Sequence, residues 1–194
     1  MSHAQDILRF WFGEPQTNDA AYAQRRSLWF GKRTETDQII RDRFLGLHRQ
    51  AAAGELDHWQ DNAASCLALI VLLDQFSRNL FRASPQAFET DAKGLAVAKE
   101  AIALGFDQQQ TFVERLFIYL PLEHSEHLAD QQRCVELMQQ LAIADLELAD
   151  CYEYAVRHLK VIQEFGRFPH RNAVLGRETT PAEAEFLKQP GSSF

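Results

Sequence analysis

Apolar residues recur along this chain at spacings of three and four, in stretches separated by glycine, proline or short polar links, and that periodicity predicts helices. Ser2 can cap a short first helix carrying Ile7, Leu8, Phe10, Trp11 and Phe12, which Gly13 and Pro15 stop. A polar link from Gln16 to Asp19 leads to a helical stretch from Ala20 to Phe30, whose Leu28, Trp29 and Phe30 are expected in the core. Thr34 followed by Asp37 resembles a capping arrangement for the amphipathic helix of Ile39, Ile40, Phe44 and Leu47, which runs to Gly54. Asp61 or Asn62 can cap the next helix, and Ser84 with Pro85 ends it. Further helices are predicted from Pro85 to Leu104, from Asp107 to Leu120 before Pro121, from Leu128 to Leu141 and from Leu146 to Phe165. Gly166 opens a stretch without helical period, after which Thr180, Pro181 and Glu183 form a capping box for a last helix holding Phe186 and Leu187. No sustained alternation and no Asn-Gly or Asp-Gly turn signals a strand, so the expected fold is all-α, built from antiparallel helix pairs.

One stretch changes character along its length. From Cys66 to Arg82 the first half is apolar on every side, whereas in the second half Asp74, Arg78 and Arg82 share one face and Leu69, Leu73, Phe76 and Leu80 the other. This predicts a central helix whose leading half is enclosed by other helices and whose trailing half carries a polar, charged stripe into, or beside, a cavity. A buried arginine needs carboxylates, carbonyls or a bound anion around it, so Arg78 and Arg82 become candidate ligand-binding residues together with Asp74.

Composition narrows the setting. A chain of 194 residues with 46 % hydrophobic and 24 % charged residues suits a single globular domain, residues 1–194. A net charge of −7 offers no general basic face, so neither nucleic acid nor an anionic membrane is expected as a partner. Cys66, Cys134 and Cys151 are odd in number, lack CxxC spacing and sit among apolar positions, which reads as buried reduced thiols in a cytoplasmic protein. The opening residues have no basic region ahead of their apolar part, so no signal peptide is expected, and the apolar run from Cys66 to Leu73 is far short of the roughly 20 residues of a membrane span.

Against that acidic background the segment from Gly166 to Arg177 stands out. It carries Arg167, His170, Arg171, Asn172 and Arg177 without an acidic residue, so it either finds carboxylates elsewhere in the fold or presents guanidinium groups to an anion. Glu123, His124, Ser125, Glu126 and His127 form a third polar stretch, where imidazole and carboxylate are good metal ligands. The spacing does not match HExxH, Ser125 reads as a helix cap, and no metal or cofactor is assigned. His124, His170 and Glu123 are the candidate proton carriers, while His158 sits between apolar helical positions as a core histidine. No GxSxG, P-loop or GxGxxG fingerprint is present.

LLDQFSRNLFR at Leu72 to Arg82, YLPLEHSE at Tyr119 to Glu126, and FGRFPHRNAVLGR at Phe165 to Arg177, followed by TTPAEAEFL, resemble the bacterial domain of unknown function family 924. The aromatic residues at Phe10 to Phe12 and at Trp29 and Phe30 fit it too. The resemblance implies an all-α, tetratricopeptide-like superhelical bundle around the central helix and brings no catalytic residues with it. No tetratricopeptide consensus recurs at a fixed period. Two functions are therefore expected in order: a polar Arg/His/Glu pocket for a small anionic ligand bearing phosphate or carboxylate, or a scaffold that binds a protein segment and uses the polar stretches as fold locks.

Overall fold

The computed structural model describes residues 2–14 and 21–193, except for the side chains of 21–24. The predicted stop at Pro15, the link from Gln16 to Asp19 and the start at Ala20 lie outside the described residues. Helices α1 (His3–Phe12), α2 (Ala21–Trp29) and α3 (Thr34–Ala53) precede the long α4 (Ala63–Leu80). They are followed by α5 (Asp91–Ala103), α6 (Phe112–Glu123), α7 (Leu128–Ala144), α8 (Ala149–Phe165) and α9 (Pro181–Leu187). Among the described residues there is no strand, and the fold is all-α.

Helix α4 runs through the middle, packed against α1, α3, α5 and α6, while α6, α7 and α8 follow one another as packed neighbours. Every residue from Cys66 to Ser77 is buried. By length and composition α4 matches a membrane span, but 83 % of that apolar length is enclosed by the other helices. Beside it Phe117 meets Trp11, Phe12 and Trp29 at centroid distances of 5.8, 5.2 and 4.9 Å, each ring edge to face. Phe30 is an exception to the predicted aromatic core: it lies past the end of α2 and is 47 % exposed.

The helix ends follow the chemistry of their caps. Ser2 with Gln5 and Thr180 with Glu183 close capping boxes, and the Asn62 side chain accepts from the Ser65 amide. Four expectations are corrected. Thr34 is the first residue of α3 and caps nothing. The cap of α6 is Thr111, paired with Glu114, because a separate 3₁₀ turn uses Asp107. The segment after Pro85 makes a 3₁₀ turn before α5 starts at Asp91. Pro121 sits inside α6 rather than ending it: the ring is buried within the apolar face from Leu116 to Leu122, and that packing outweighs the backbone hydrogen bond proline cannot make.

Helix α4 departs from regular geometry at one place. Residues Val71–Phe76 form a π turn, which holds one residue more than an α turn. Gly94 of α5 faces it, and a Cβ there would come to 3.5 Å from Leu73 Cβ and 3.9 Å from Asp74 Cβ, so the two helices approach closely where Asp74 is displayed. The close approach brings Asp91, the first residue of α5, and Thr90 just before it into bonding range of α4.

Candidate functional site

Asp74 lies in the π turn and is 1 % exposed. Its Oδ1 accepts from His124 Nδ1 at 2.7 Å and faces Arg78 Nη1 at 3.4 Å, while Oδ2 accepts from Gln75 Nε2 at 2.7 Å. Burial would push this carboxyl up, but Arg78 and His124 hold it far below the usual carboxylate range, so it stays ionised. An ionised carboxylate at Nδ1 places the ring proton there and leaves the lone pair of His124 on Nε2. Nε2 makes no hydrogen bond among the described residues, and the side chain retains 16 % exposure. Burial, and after it the charge of Arg78, lower the His124 pKa, so the imidazole is neutral at pH 7 and available as a base.

Arg78 donates Nη1 to the Asp74 carbonyl at 2.6 Å and grips Asp91 with both Nη atoms, at 3.0 and 3.2 Å. Arg171, from the irregular segment after α8, reaches the same carboxylate at 3.5 Å and donates Nη2 to the His124 carbonyl at 3.0 Å. Its guanidinium lies between the Phe88 and Phe168 rings, 4.9 and 4.5 Å from their centroids. Burial, then the charge of Arg78, lower its pKa to about 10, and its Nε is buried without an acceptor among the described residues. Two guanidiniums therefore share one carboxylate at the edge of the bundle.

Glu123 ends α6 beside this group, 5 % exposed, with Oε1 3.5 Å from His158 Nδ1. Burial, reinforced by the charge of Asp74, raises Glu123 to about 8, and burial lowers His158 to about 3. The contact is thus between neutral groups at pH 7, with His158 Nδ1 donating to the Tyr154 carbonyl at 2.9 Å. A proton bound more tightly in the native state contributes stability that is complete below about pH 4.5 and is lost as pH rises through 8. Glu123→Gln, neutral throughout, should therefore show a urea midpoint that stays level between pH 6.5 and 9 where the parent falls, by on the order of 2 kcal/mol across that range.

The three polar stretches meet in part. Asp74, Arg78, Glu123, His124 and Arg171 converge, and His170, lowered to about 4 by burial and then by Arg171, is near enough to feel the charge of His124. Arg82 is elsewhere: it clasps Asp37 of α3, which also accepts from Asn79. The π turn shifts the register, and the helix stops at Leu80 with Ala83 at φ +58°, so the expected shared face with Arg78 ends there. Arg167 binds Glu183 through Nε and Nη2 at 2.6 and 2.8 Å. Arg177 binds Glu126 at 2.8 and 3.0 Å and the Asn172 side chain at 3.0 Å, while Glu126 accepts from the Phe168 amide at 2.8 Å. Arg177 thus fastens the C-terminal segment to the bundle at Glu126, Arg167 and Asn172 tie that segment to α9 at Glu183, and Arg82 joins the end of α4 to α3. Ser125, expected as a cap, donates to Asp130 Oδ2 at 2.8 Å and accepts from the His127 amide. Asp91, Phe88 and Phe168 were not singled out from sequence, since nothing local to them marks a partner on another element.

Among the described residues no group of three His, Cys, Asp or Glu side chains is arranged to hold a metal ion. The three cysteines are buried as thiols, outside any disulfide among the described residues. A shallow cleft of about 570 Å³ between the end of α8 and the start of α9 is lined by residues such as Phe165, Arg167 and Glu183, and none of the Asp74–His124 group lines it.

A family model described as a bacterial protein of unknown function, DUF924, matches residues 7–191. No curated protein matches the chain. Among solved structures, a protein of unknown function from Agrobacterium tumefaciens is 41 % identical, with a TM-score of 0.83 over 95 % of this chain and 96 % of that one.

Proposed function

The chain belongs to the DUF924 family of bacterial proteins, and from its own geometry we propose that it binds a small phosphate- or carboxylate-bearing molecule beside His124, which acts on it as a general base. The observation that carries this reading is Arg171: its guanidinium is buried against two phenylalanine rings and shares a carboxylate with Arg78, and its own Nε has no acceptor among the described residues. A buried donor left unmatched is unfavourable by roughly 1–3 kcal/mol, which an anion's oxygens would recover. Asp74 then has the part of the orienting carboxylate, fixing the tautomer that turns the His124 lone pair outward. Arg78 and Asp91 of the same group are both about one-fifth exposed.

Thermal unfolding in rising concentrations of inorganic phosphate and of simple di- and tricarboxylates tests the reading. A ligand at 100 times its Kd adds about 2.7 kcal/mol, which for a chain of this size raises Tm by roughly 5–10 °C. His124→Gln should fold and lose most of that rise. If no anion moves Tm, the reading fails. Arg78→Ala is the weaker probe, because Arg78 also ties α4 to α5 through Asp91 and its removal tests the fold before the ligand.

One observation favours a scaffold instead: Arg82, Arg167 and Arg177 are each matched to a carboxylate on another element. Under that reading Arg78 and Arg171 are locks of the same kind, no anion stabilises the protein, and an affinity column of it retains one specific partner at defined stoichiometry.

A further inference from the structure

Leu73 and Asp74 are consecutive residues of the π turn, and side chains bond both of their carbonyls. The Asp74 carbonyl accepts from Arg78, whereas the Leu73 carbonyl accepts from Thr90 Oγ1 at 2.6 Å, with Ser77 Oγ at 2.9 Å. Ser77 Oγ is also 2.6 Å from Thr90 Oγ1 and 2.6 Å from His48 Nε2. All three side chains are buried: Ser77 is 0 %, His48 5 % and Thr90 6 % exposed.

Counting protons gives these contacts one direction. Each hydroxyl has a single proton, and two oxygens 2.6 Å apart need one between them. The 2.6 Å contact to the Leu73 carbonyl needs the proton of Thr90, since a carbonyl has none. Ser77 must then donate to Thr90, and its own oxygen accepts from His48 Nε2–H. The remaining nitrogen, His48 Nδ1, carries a lone pair, in agreement with its being buried without a hydrogen-bond partner among the described residues. The order is His48 to Ser77 to Thr90 to Leu73.

We propose that His48, Ser77 and Thr90 are positioning residues for the Asp74–His124 pair: their hydroxyl chain holds the π turn open at Leu73, so that the next residue, Asp74, meets His124 rather than turning along α4. An i→i+5 turn leaves a carbonyl without its usual amide, and this chain supplies the missing donor from α3 and α5. The proposal adds to the reading of His124 as a base but needs only the Asp74–His124 contact, so the two fail separately.

The test is an NMR titration of the His124 ring in labelled protein, with Asp74→Asn as the reference for losing the carboxylate's charge. Thr90→Val keeps the shape and removes the donor. In folded Thr90→Val the His124 midpoint should move to lower pH, in the same direction as in Asp74→Asn and by less, because the carboxylate that favours the imidazolium is no longer held at 2.7 Å. Thr90→Ser should restore the parent midpoint. Ser77→Ala, which favours helix, should give an intermediate shift and serves if Thr90→Val does not fold. A parent-like His124 midpoint in either folded variant, alongside a shifted one in Asp74→Asn, overturns the proposal. The outcome does not depend on whether phosphate or carboxylates raise Tm.

Discussion

Asp74→Ala is expected to lower folding stability by about 3–5 kcal/mol, the usual result of removing one partner from a buried charged group. Three donors converge on this carboxylate, from His124, Gln75 and Arg78, and alanine leaves all of them without it. Arg78 keeps Asp91 and the main-chain carbonyl, so the loss falls most heavily on His124 and Gln75. Asp74→Asn should be far milder. Its carbonyl can still accept from His124, and its amide is accommodated if the Gln75 side chain flips to offer oxygen. The charge is gone, however, and with it the support for a protonated His124. Urea unfolding should rank the proteins parent, Asn, Ala in falling stability, with the alanine variant melting on the order of 10 °C lower. Equal stability of all three would mean that the cluster contributes nothing to the fold.

The second large effect is loss of stability in acid, driven by histidines. Burial first, and nearby positive charge second for His48 and His170, lower the ring pKa values to about 4 for His48, about 3 for His158 and about 4 for His170, from an ordinary 6.5. A depressed native pKa means that the unfolded chain takes up protons first, so the stability is complete above pH 6.5 and drains away as pH falls towards 4 and 3. For the two most enclosed rings this amounts to on the order of 3 kcal/mol at His48 and somewhat more at His158, with less at the partly exposed His170. Glu123 works in the opposite sense and strengthens the fold as pH falls from 8 to 4.5, which flattens the profile between 6.5 and 4.5 and leaves the steep loss below. His48→Gln and His158→Gln should each shallow that acid limb in urea titrations run from neutral pH down to about pH 3.5. A limb unchanged in both would assign acid unfolding to the carboxylates instead.

Much of the architecture was legible along the chain because it depends on local chemistry. The period of apolar positions, the capping boxes at Ser2 and Thr180, and the enclosed first half of α4 follow from backbone hydrogen bonding and from water's exclusion of apolar faces. Where local and global demands conflict, as at Pro121, local reading failed: proline weakens a helix by an amount that depends little on context, but the packing that overrides it comes from residues distant in sequence. The same limit applies to the arginines. Their type and crowding marked the segments that matter, yet Arg82, Arg167 and Arg177 differ from Arg78 and Arg171 only in which carboxylates the fold brings to them.

By itself the sequence determined that this protein is a helical bundle built on an enclosed central helix, and that its unusual polar groups lie in three stretches. Only the tertiary structure decided that a π turn presents Asp74 to His124, that Asp91 joins two guanidiniums, and that the other arginines are fastenings. The physical reason is range. Helix formation and capping are settled within a turn or two of chain, whereas partners such as Asp74 and His124, 50 residues apart, become neighbours only through packing.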